Sequence, residues 1–331
     1  MRPNGCIKQV NLECFLALKT VVKMKKVFID GKEGTTGLQI YERLEKRKDV
    51  VLLTLSEEKR KDVAARKERI NEADIVFLCL PDVAAKESVS LCENPNAKII
   101  DASTAHRTTE GWAYGFPELS KEFRDKIATG KRIANPGCHA SGFVSLVYPL
   151  VSAGLIDRDY PFVAHSITGY SGGGKKMIAQ YESEEREKEL SSPRQYGLTL
   201  THKHLPEMTK VCNLSHAPIF NPIVADFYSG MCVTVPVYAS MLKDGKTPAK
   251  MRDFFQSFYQ EAKFVSVSKA KESFLAANTF SGTNRLEIYV GGNEDQLLLC
   301  ARFDNLGKGA SGAAVQNMNI ALGLPEDAYL E

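Results

Sequence analysis

Short apolar runs alternate with amphipathic segments along the first part of the chain, from about residue 25. The apolar runs predict buried strands at residues 26–30, 50–55, 74–80 and 98–101. Apolar positions at helical spacing predict helices between them, at residues 37–48, in a charged stretch to about residue 70, and at 83–92. Strands that alternate with helices predict an α/β fold with a doubly wound parallel sheet.

The pattern changes near residue 138. Residues 138–154 form one apolar stretch that predicts a helix, and longer β-rich runs follow at 162–168, 227–239, 286–291 and 296–303. The last two runs flank a Gly-Asn-Glu-Asp sequence at 292–295, which predicts a hairpin turn. Residues 309–322 are rich in small side chains and predict a closing helix. The second half therefore predicts an α+β domain with a mostly antiparallel sheet.

Composition narrows the class of protein. The 331 residues are 44% hydrophobic and 25% charged, as in soluble globular proteins, and the length suggests two domains. The net charge of +3 comes without a basic block, so nucleic acid is not a favoured partner. No apolar run approaches the roughly 18 residues of a membrane span. The eight cysteines form no C-x-x-C pair, which fits a reducing, cytoplasmic location. Residues 1–23 are interpreted as an extension rather than a targeting segment.

A glycine-rich turn follows the first predicted strand and opens the first helix. Gly31, Gly34 and Gly37 have the spacing G-x-x-G-x-x-G, with Thr35 and Thr36 between the last two. Glycines in this context allow a tight turn and let backbone N–H groups approach a pyrophosphate at the helix N-terminus. The turn predicts a dinucleotide site.

The tip of the second predicted strand normally contacts the adenine ribose. Ser56, Lys59 and Arg60 stand there, and they suit a 2′-phosphate better than a free 2′-hydroxyl. Glu57 or Glu58 facing the ribose, or a merely solvated turn, are the alternatives. The preferred cofactor is NADP(H).

Cys138 follows Asn135-Pro136-Gly137 at the start of the apolar helix. Unpaired N–H groups and the helix dipole at such a position favour a thiolate, so Cys138 is the candidate nucleophile. The other cysteines are interpreted as packing residues.

Two histidines and an arginine complete the candidate chemistry. If the segment around residues 201–207 is extended, His202 and His204 share a face, and one could exchange protons with Cys138 while the other contacts an anion. A zinc pair is the competing interpretation, but no third ligand is evident, and no metal is predicted. Arg107 follows the fourth strand and is either an anion clamp or part of a surface ion pair. Residues 169–175 are either a flexible site loop or a plain surface loop.

Together these motifs resemble the short subclass of the N-acetyl-γ-glutamyl-phosphate reductase family, within the aspartate-semialdehyde-dehydrogenase-like superfamily. The resemblance runs from about Lys25 to the C-terminus, and it rests on residues 28–37, 135–138, 202–207 and 308–319. It implies a Rossmann-like NADP-binding domain of residues 25–137 plus 302–331, a catalytic and dimerisation domain of residues 138–301, and an extension of residues 1–24. It also implies assembly into a homo-oligomer, a dimer or tetramer.

The resemblance implies a role for each matched residue. Cys138 would be the nucleophile and His202 the acid/base, while Arg107, Tyr196 and His204 would bind substrate. Gly309 and Asn317 would contact the cofactor on its nicotinamide side.

The expected enzyme is an oxidoreductase of arginine biosynthesis that reduces N-acetyl-L-glutamyl 5-phosphate to the semialdehyde through a cysteine thioester. The alternatives are the same chemistry on aspartyl phosphate or a carrier-linked aminoadipyl phosphate, a Cys-His hydrolase or acyltransferase without a nicotinamide, and an inactive dinucleotide-binding regulator.

Overall fold

The computed structural model describes residues 24–330. The predicted N-terminal extension therefore lies, apart from Met24, outside the described residues. Within residues 24–330, no helix combines the length and the apolarity that crossing a bilayer requires.

The first sheet has six strands, all parallel, in the order β2-β1-β3-β4-β6-β5. Its central strand β3 is apolar and buried at every position, as expected for a parallel sheet covered on both faces. The strands are β1 Lys25–Asp30, β2 Val50–Leu53, β3 Ile75–Leu78, β4 Lys98–Asp101, β5 Ala113–Tyr114 and β6 Arg132–Ala134. The helices between them are α1 Thr35–Leu44, α2 Val63–Glu72, α3 Asp82–Leu91 and α4 Lys121–Thr129. The predicted doubly wound parallel sheet is confirmed.

The second sheet has seven strands in the order β11-β12-β13-β10-β7-β9-β8. Four of its six neighbouring pairs are antiparallel, so the prediction of a mostly antiparallel sheet is confirmed. The strands are β7 Val163–Gly169, β8 Arg194–Gln195, β9 Ile219–Ala225, β10 Met231–Tyr238, β11 Val265–Val267, β12 Leu286–Gly292 and β13 Gln296–Phe303. The accompanying helices are α5 Cys138–Ser152, α6 Gly174–Glu182, α7 Leu205–Val211 and α8 Pro248–Phe258.

Two helices tie the sheets together. Helix α5 is apolar around most of its surface, and it is therefore buried in the larger hydrophobic core, where it packs against β10 and β13. A π-helical turn, Gly307–Ser311, leads from β13 into α9, Gly312–Leu322. Helix α9 packs against α4 and β4 of the first sheet, so the end of the chain returns to the first half of the molecule. The N-terminus of α5 and the π-helical turn consequently meet between the two sheets.

An extended segment at residues 201–207 was the condition for His202 and His204 to share a face, and the structure does not meet it. These residues are not extended: His204 caps α7, which begins at Leu205 and has Pro206 in its first turn. Proline is favoured in the first turn of a helix, since its missing N–H has no intrahelical partner there. Strand β9 was not predicted, because Pro222 interrupts its apolar run and proline normally argues against a central strand.

Candidate active site

A continuous cleft follows the carboxyl edge of the first sheet. One cavity of about 480 Å³ is lined by Thr35, Cys138 and the histidine segment, and a second of about 630 Å³ lies beside the tip of β2. Gly34, Cys79 and Leu80 line both. Ligands of doubly wound folds bind at this edge, so the two cavities have the position expected for a dinucleotide and a substrate placed end to end.

The glycine turn between β1 and α1 is built for close backbone approach. Gly31 has a φ of +88°, and a Cβ there would lie 2.4 Å from the Cys79 carbonyl oxygen. A Cβ on Gly37 would lie 2.5 Å from the Gly31 carbonyl oxygen. Gly34 is the N-cap of α1, and Gly34, Thr35 and Thr36 line the cavity that contains Cys138. The unpaired amides of the first helical turn therefore face a space that could hold a phosphate group.

The tip of β2 differs in detail from the expectation. Ser56 and Lys59 are exposed and do not belong to the cavity lining, whereas Arg60 and Lys61 do. The Ser56 side chain is instead hydrogen-bonded to Glu58, a contact that helps to lower the pKa of that carboxyl. Arg60 forms an exposed ion pair with Glu57 at 2.6 Å. Of the two predicted cations, Arg60 therefore lines the cavity and Lys59 does not, while Lys61 and Glu57, one of the two alternative ribose contacts, line it as well.

Cys138 is the first residue of α5, after the N-cap Gly137. A Cβ on Gly309, in the π-helical turn, would lie 2.9 Å from the Cys138 Cβ, so only glycine leaves room for the cysteine. Burial raises the pKa of the Cys138 thiol, and this effect outweighs Arg107, the His139 backbone amide and Lys203, which all lower it. The helix start thus lowers the pKa of Cys138 as expected, through the His139 amide, but burial has the larger effect and favours the protonated thiol.

Arg107 lies in a buried ion pair with Glu207, not in a surface pair. Its Nη1 donates to Glu207 Oε2 at 3.0 Å, and the two side chains are 7% and 2% exposed. Nε and Nη2 donate to the carbonyl oxygens of Asn135 and Ala102. A guanidinium has five N–H groups, so two remain for a ligand in the cavity that Arg107 lines.

Glu207 is a buried residue to which the sequence assigned no role. Its Oε1 accepts from the Tyr114 hydroxyl and from the backbone N–H of Gly137, each at 2.8 Å. One carboxylate thus joins α7, Arg107 and the chain just before Cys138. A glutamate in the first turn of a helix is common on protein surfaces, so its burial could not be predicted from the sequence.

The predicted histidine pair is brought together, although by a turn rather than by a strand. The rings of His202 and His204 are 4.9 Å apart between centroids, and His202 Nδ1 accepts from the His204 backbone N–H at 3.3 Å. Burial and then Lys203 lower the pKa of His202. Burial and then Arg107 hold the pKa of His204 well below its ordinary value. Both rings are consequently neutral near pH 7.

A third histidine, His139, was missed. Its ring is 5.5 Å from each of the other two, and the potential donor atoms of the three lie within 4.8 Å of one another. The sequence analysis had seen no third ligand for a metal. Both ring nitrogens of His139 are nevertheless hydrogen-bonded, to Ser166 and to Tyr196, and Arg107 and Lys203 add positive charge. That environment suits an anion better than a cation.

The residues expected on the nicotinamide side fall in two places. Gly309 lines the cavity beside Cys138. Asn317 lies in α9, about two helical turns after Gly309, and it is fully buried and does not reach the cavity. Its Nδ2 donates to the Gly115 carbonyl oxygen and to Asn135 Oδ1. Asn135 does line the cavity, so Asn317 contacts the cavity wall through this hydrogen bond. For residues 169–175 the structure favours the site loop over a plain surface loop, since Gly169 and residues 171–174 line the cavity. Asn305 and Leu306, to which the sequence assigned no role, complete the wall.

Two parts of the chain match families of known proteins. Residues 26–128 match the family described as semialdehyde dehydrogenase, NAD binding domain, and residues 138–305 match semialdehyde dehydrogenase, dimerisation domain. Two solved structures share the fold. Aspartate semialdehyde dehydrogenase II from Vibrio cholerae has a TM-score of 0.70 and 16% identity, and the match covers 91% of this chain and 99% of that one. Aspartate semialdehyde dehydrogenase from Francisella tularensis has a TM-score of 0.67 and 16% identity, and the match covers 90% of this chain and 99% of that one.

Similarity to curated proteins is much closer. N-acetyl-gamma-glutamyl-phosphate reductase 2 of Nostoc sp. is 45% identical over 318 residues, covering 92% of this chain and 99% of that protein. N-acetyl-gamma-glutamyl-phosphate reductase of Mesorhizobium japonicum is 48% identical over 307 residues, covering 90% and 99%. The chain therefore belongs to the N-acetyl-γ-glutamyl-phosphate reductase family, within the semialdehyde dehydrogenases.

Proposed function

We propose that this protein reduces N-acetyl-L-glutamyl 5-phosphate to N-acetyl-L-glutamate 5-semialdehyde with release of phosphate, a step of arginine biosynthesis. The printed names of relatives 45% and 48% identical support this substrate. The observation that carries the chemistry is the position of Cys138, at the one place where the glycine turn and the Arg107–histidine cluster share a cavity.

The proposed first step is the attack of Cys138 on the acyl carbon. The thiol proton passes to His202, whose lowered pKa leaves it neutral. The unprotonated nitrogen of that ring is Nδ1, so accepting the proton breaks its 3.3 Å hydrogen bond from the His204 backbone N–H. The new carbon–sulfur bond forms as the carbon–oxygen bond to phosphate breaks, giving a thioester. The two free N–H groups of Arg107 and the charge of Lys203 would stabilise the leaving phosphate.

A reduced nicotinamide, with its dinucleotide held at the Gly31–Gly37 turn, would supply a hydride to the thioester carbon and give a thiohemiacetal on Cys138. Backbone N–H groups at the start of α5 would stabilise the resulting oxyanion, a contribution of about 3 kcal/mol per donor. His202, now protonated, donates a hydrogen bond towards the same oxygen. Collapse of the thiohemiacetal oxyanion breaks the carbon–sulfur bond and releases the aldehyde, and His202 returns its proton to the Cys138 sulfur.

The cleft fits a dinucleotide, since positive φ at Gly31 and the bare helix start of α1 leave room for a pyrophosphate. We assign NADP(H) rather than NAD(H), because Arg60 and Lys61 line the cavity at the tip of β2 and could pair with a 2′-phosphate. Arg60→Ala should raise the KM for NADPH roughly tenfold and leave the KM for NADH unchanged. Equal changes for both cofactors would remove this assignment.

The activity is tested by phosphate-dependent reduction of NADP⁺ with N-acetylglutamate semialdehyde, alongside aspartate semialdehyde. The proposal expects turnover with the acetylated substrate and a much smaller kcat/KM with the other; the reverse preference would assign the chain to another acyl phosphate. Cys138→Ser should abolish turnover while leaving NADPH binding intact. Cys92→Ser is the matched control, since Cys92 is half-buried at the end of α3 and lines neither cavity.

We also propose a homo-oligomer that assembles through the outer face of the second sheet. Register places Ile167, Ile219, Tyr238 and Leu298 on that face, and they are 39–57% exposed. A patch of apolar side chains of this kind typically marks an interface.

The proposed domains are residues 25–137 plus 302–331 and residues 138–301, which the packing of α9 on the first sheet supports. Six free cysteines among the described residues support a reducing, cytoplasmic location.

A further inference from the structure

A chain of hydrogen bonds runs from the core of the second sheet to the cleft. Ser166, on β7, is fully buried, and its Oγ lies 2.7 Å from His139 Nδ1. His139 Nε2 lies 2.8 Å from the hydroxyl oxygen of Tyr196. Tyr196 is half-buried and lines the cavity that contains Cys138. The chain therefore joins a buried serine to a side chain that faces the cleft.

The direction of the protons along this chain follows from their acceptors. Among residues 24–330, His139 Nδ1 is the only acceptor that the structure gives the Ser166 hydroxyl. Donation from Ser166 leaves Nδ1 unprotonated, so the ring proton is on Nε2 and is donated to the Tyr196 oxygen. In the reverse arrangement the Ser166 proton would be buried without an acceptor, which is unfavourable.

This direction determines where the hydroxyl proton of Tyr196 points. Because the Tyr196 oxygen accepts a hydrogen bond from His139, the hydroxyl proton is free to point into the cleft. We propose that His139, held by Ser166, is a positioning residue that fixes Tyr196 as a hydrogen-bond donor to an anionic oxygen of the substrate. This inference rests on the proposed function for the identity of the substrate, but not for the direction of the protons.

Electrostatics keep the arrangement in one state. Burial, followed by His202 and Lys203, lowers the pKa of His139 to about 3, so the ring stays neutral throughout the range in which the protein works. Burial and the nearby Cys138 raise the pKa of Tyr196, so the phenol keeps its proton. Neither group changes charge near neutral pH, and the direction of donation stays constant.

Nitrogen NMR tests the direction without reference to activity. In full-length protein labelled with ¹⁵N-histidine, the proposal expects the His139 ring to give a protonated Nε2 and an unprotonated Nδ1 from pH 6 to pH 9. His139→Gln identifies the signals by their loss. A protonated Nδ1, or titration of the ring within this range, would overturn the proposal.

Kinetics test the consequence for substrate, in phosphate-dependent NADP⁺ reduction. Tyr196→Phe should raise one KM, either for the semialdehyde or for phosphate, roughly tenfold to hundredfold, since hydrogen bonds to charged groups are the strong ones. Which KM rises tells whether the oxygen belongs to a carboxylate or to the transferred phosphate. His139→Leu should raise the same KM in the same direction, with kcat within about threefold of wild type and NADPH affinity unchanged.

Two further variants separate positioning from a structural effect. His139→Leu should have almost no additional effect in a Tyr196→Phe background, because the hydroxyl it positions is absent; an equal loss in both backgrounds would overturn the proposal. His139→Gln, whose amide N–H can replace Nε2–H, should recover most of the KM. If wild-type protein lacked activity on every semialdehyde, the proposed function would fail while the NMR result still decided the direction of the protons.

Discussion

Glu207→Gln is the substitution whose effect follows most directly from the structure. The change keeps the shape of the side chain but removes its charge, and it places an amide N–H against one of two present donors, the Arg107 guanidinium at Oε2 or the Gly137 backbone N–H at Oε1. Arg107 would then be a buried cation without a counterion, because its other recorded contacts are to carbonyl oxygens. Removing one partner of a buried ion pair costs about 3–5 kcal/mol of unfolding free energy.

Urea unfolding followed by tryptophan fluorescence measures this loss of unfolding free energy with a probe close to Arg107. Trp112 is the only tryptophan of the chain, and it stacks on His106 at 4.0 Å between ring centroids, next to Arg107 in sequence. The matched control is Asp125→Asn, which removes the exposed pair with Lys121 and should change the unfolding free energy by less than about 1 kcal/mol. A Glu207→Gln protein as stable as the control would refute the assignment of a buried, energetically coupled pair.

Three other substitutions or measurements follow from packing and charge. Since burial raises the pKa of the Cys138 thiol above its ordinary value, the rate of its alkylation by iodoacetamide should still rise with pH where a free cysteine has already reached its plateau; a plateau below pH 8 would contradict this. Gly309→Ala should lower kcat at least tenfold, because the new Cβ lies 2.9 Å from the Cys138 Cβ; unchanged kcat would show that the π-helical turn yields freely. Lys308→Met should destabilise the protein by about 3–5 kcal/mol in urea unfolding, since the Glu118 partner is fully buried, and the double variant with Glu118→Gln should recover much of that loss.

Regular elements with strong local patterns were predictable from the sequence. Strands β4 and β13 have the predicted bounds, and α5 differs from its prediction only at its C-terminal end. These segments are apolar runs with clear ends, and burial in a sheet or core decides their structure. Short elements such as β5 and β8 depend on partners distant in the chain, so no local signal marks them.

The candidate site was predictable where a motif carries its own geometry. The glycine turn and the cysteine at a helix start were found because their local backbone determines their chemistry. His139 and Glu207 were missed because their roles depend on contacts with Tyr196 and Arg107, 57 and 100 residues away. The raised pKa of Cys138 was not expected for a similar reason: desolvation by the surrounding fold, which no motif indicates, outweighs the helix start and the cations beside it.

The covalent role of Cys138 is the central claim, and it is tested most directly by mass spectrometry of wild-type protein mixed with N-acetylglutamyl phosphate in the absence of NADPH. The account predicts release of phosphate and a single acyl group on the peptide that contains Cys138, removed when NADPH is added. An unmodified Cys138 peptide in protein that reduces the same substrate once NADPH is present would contradict it.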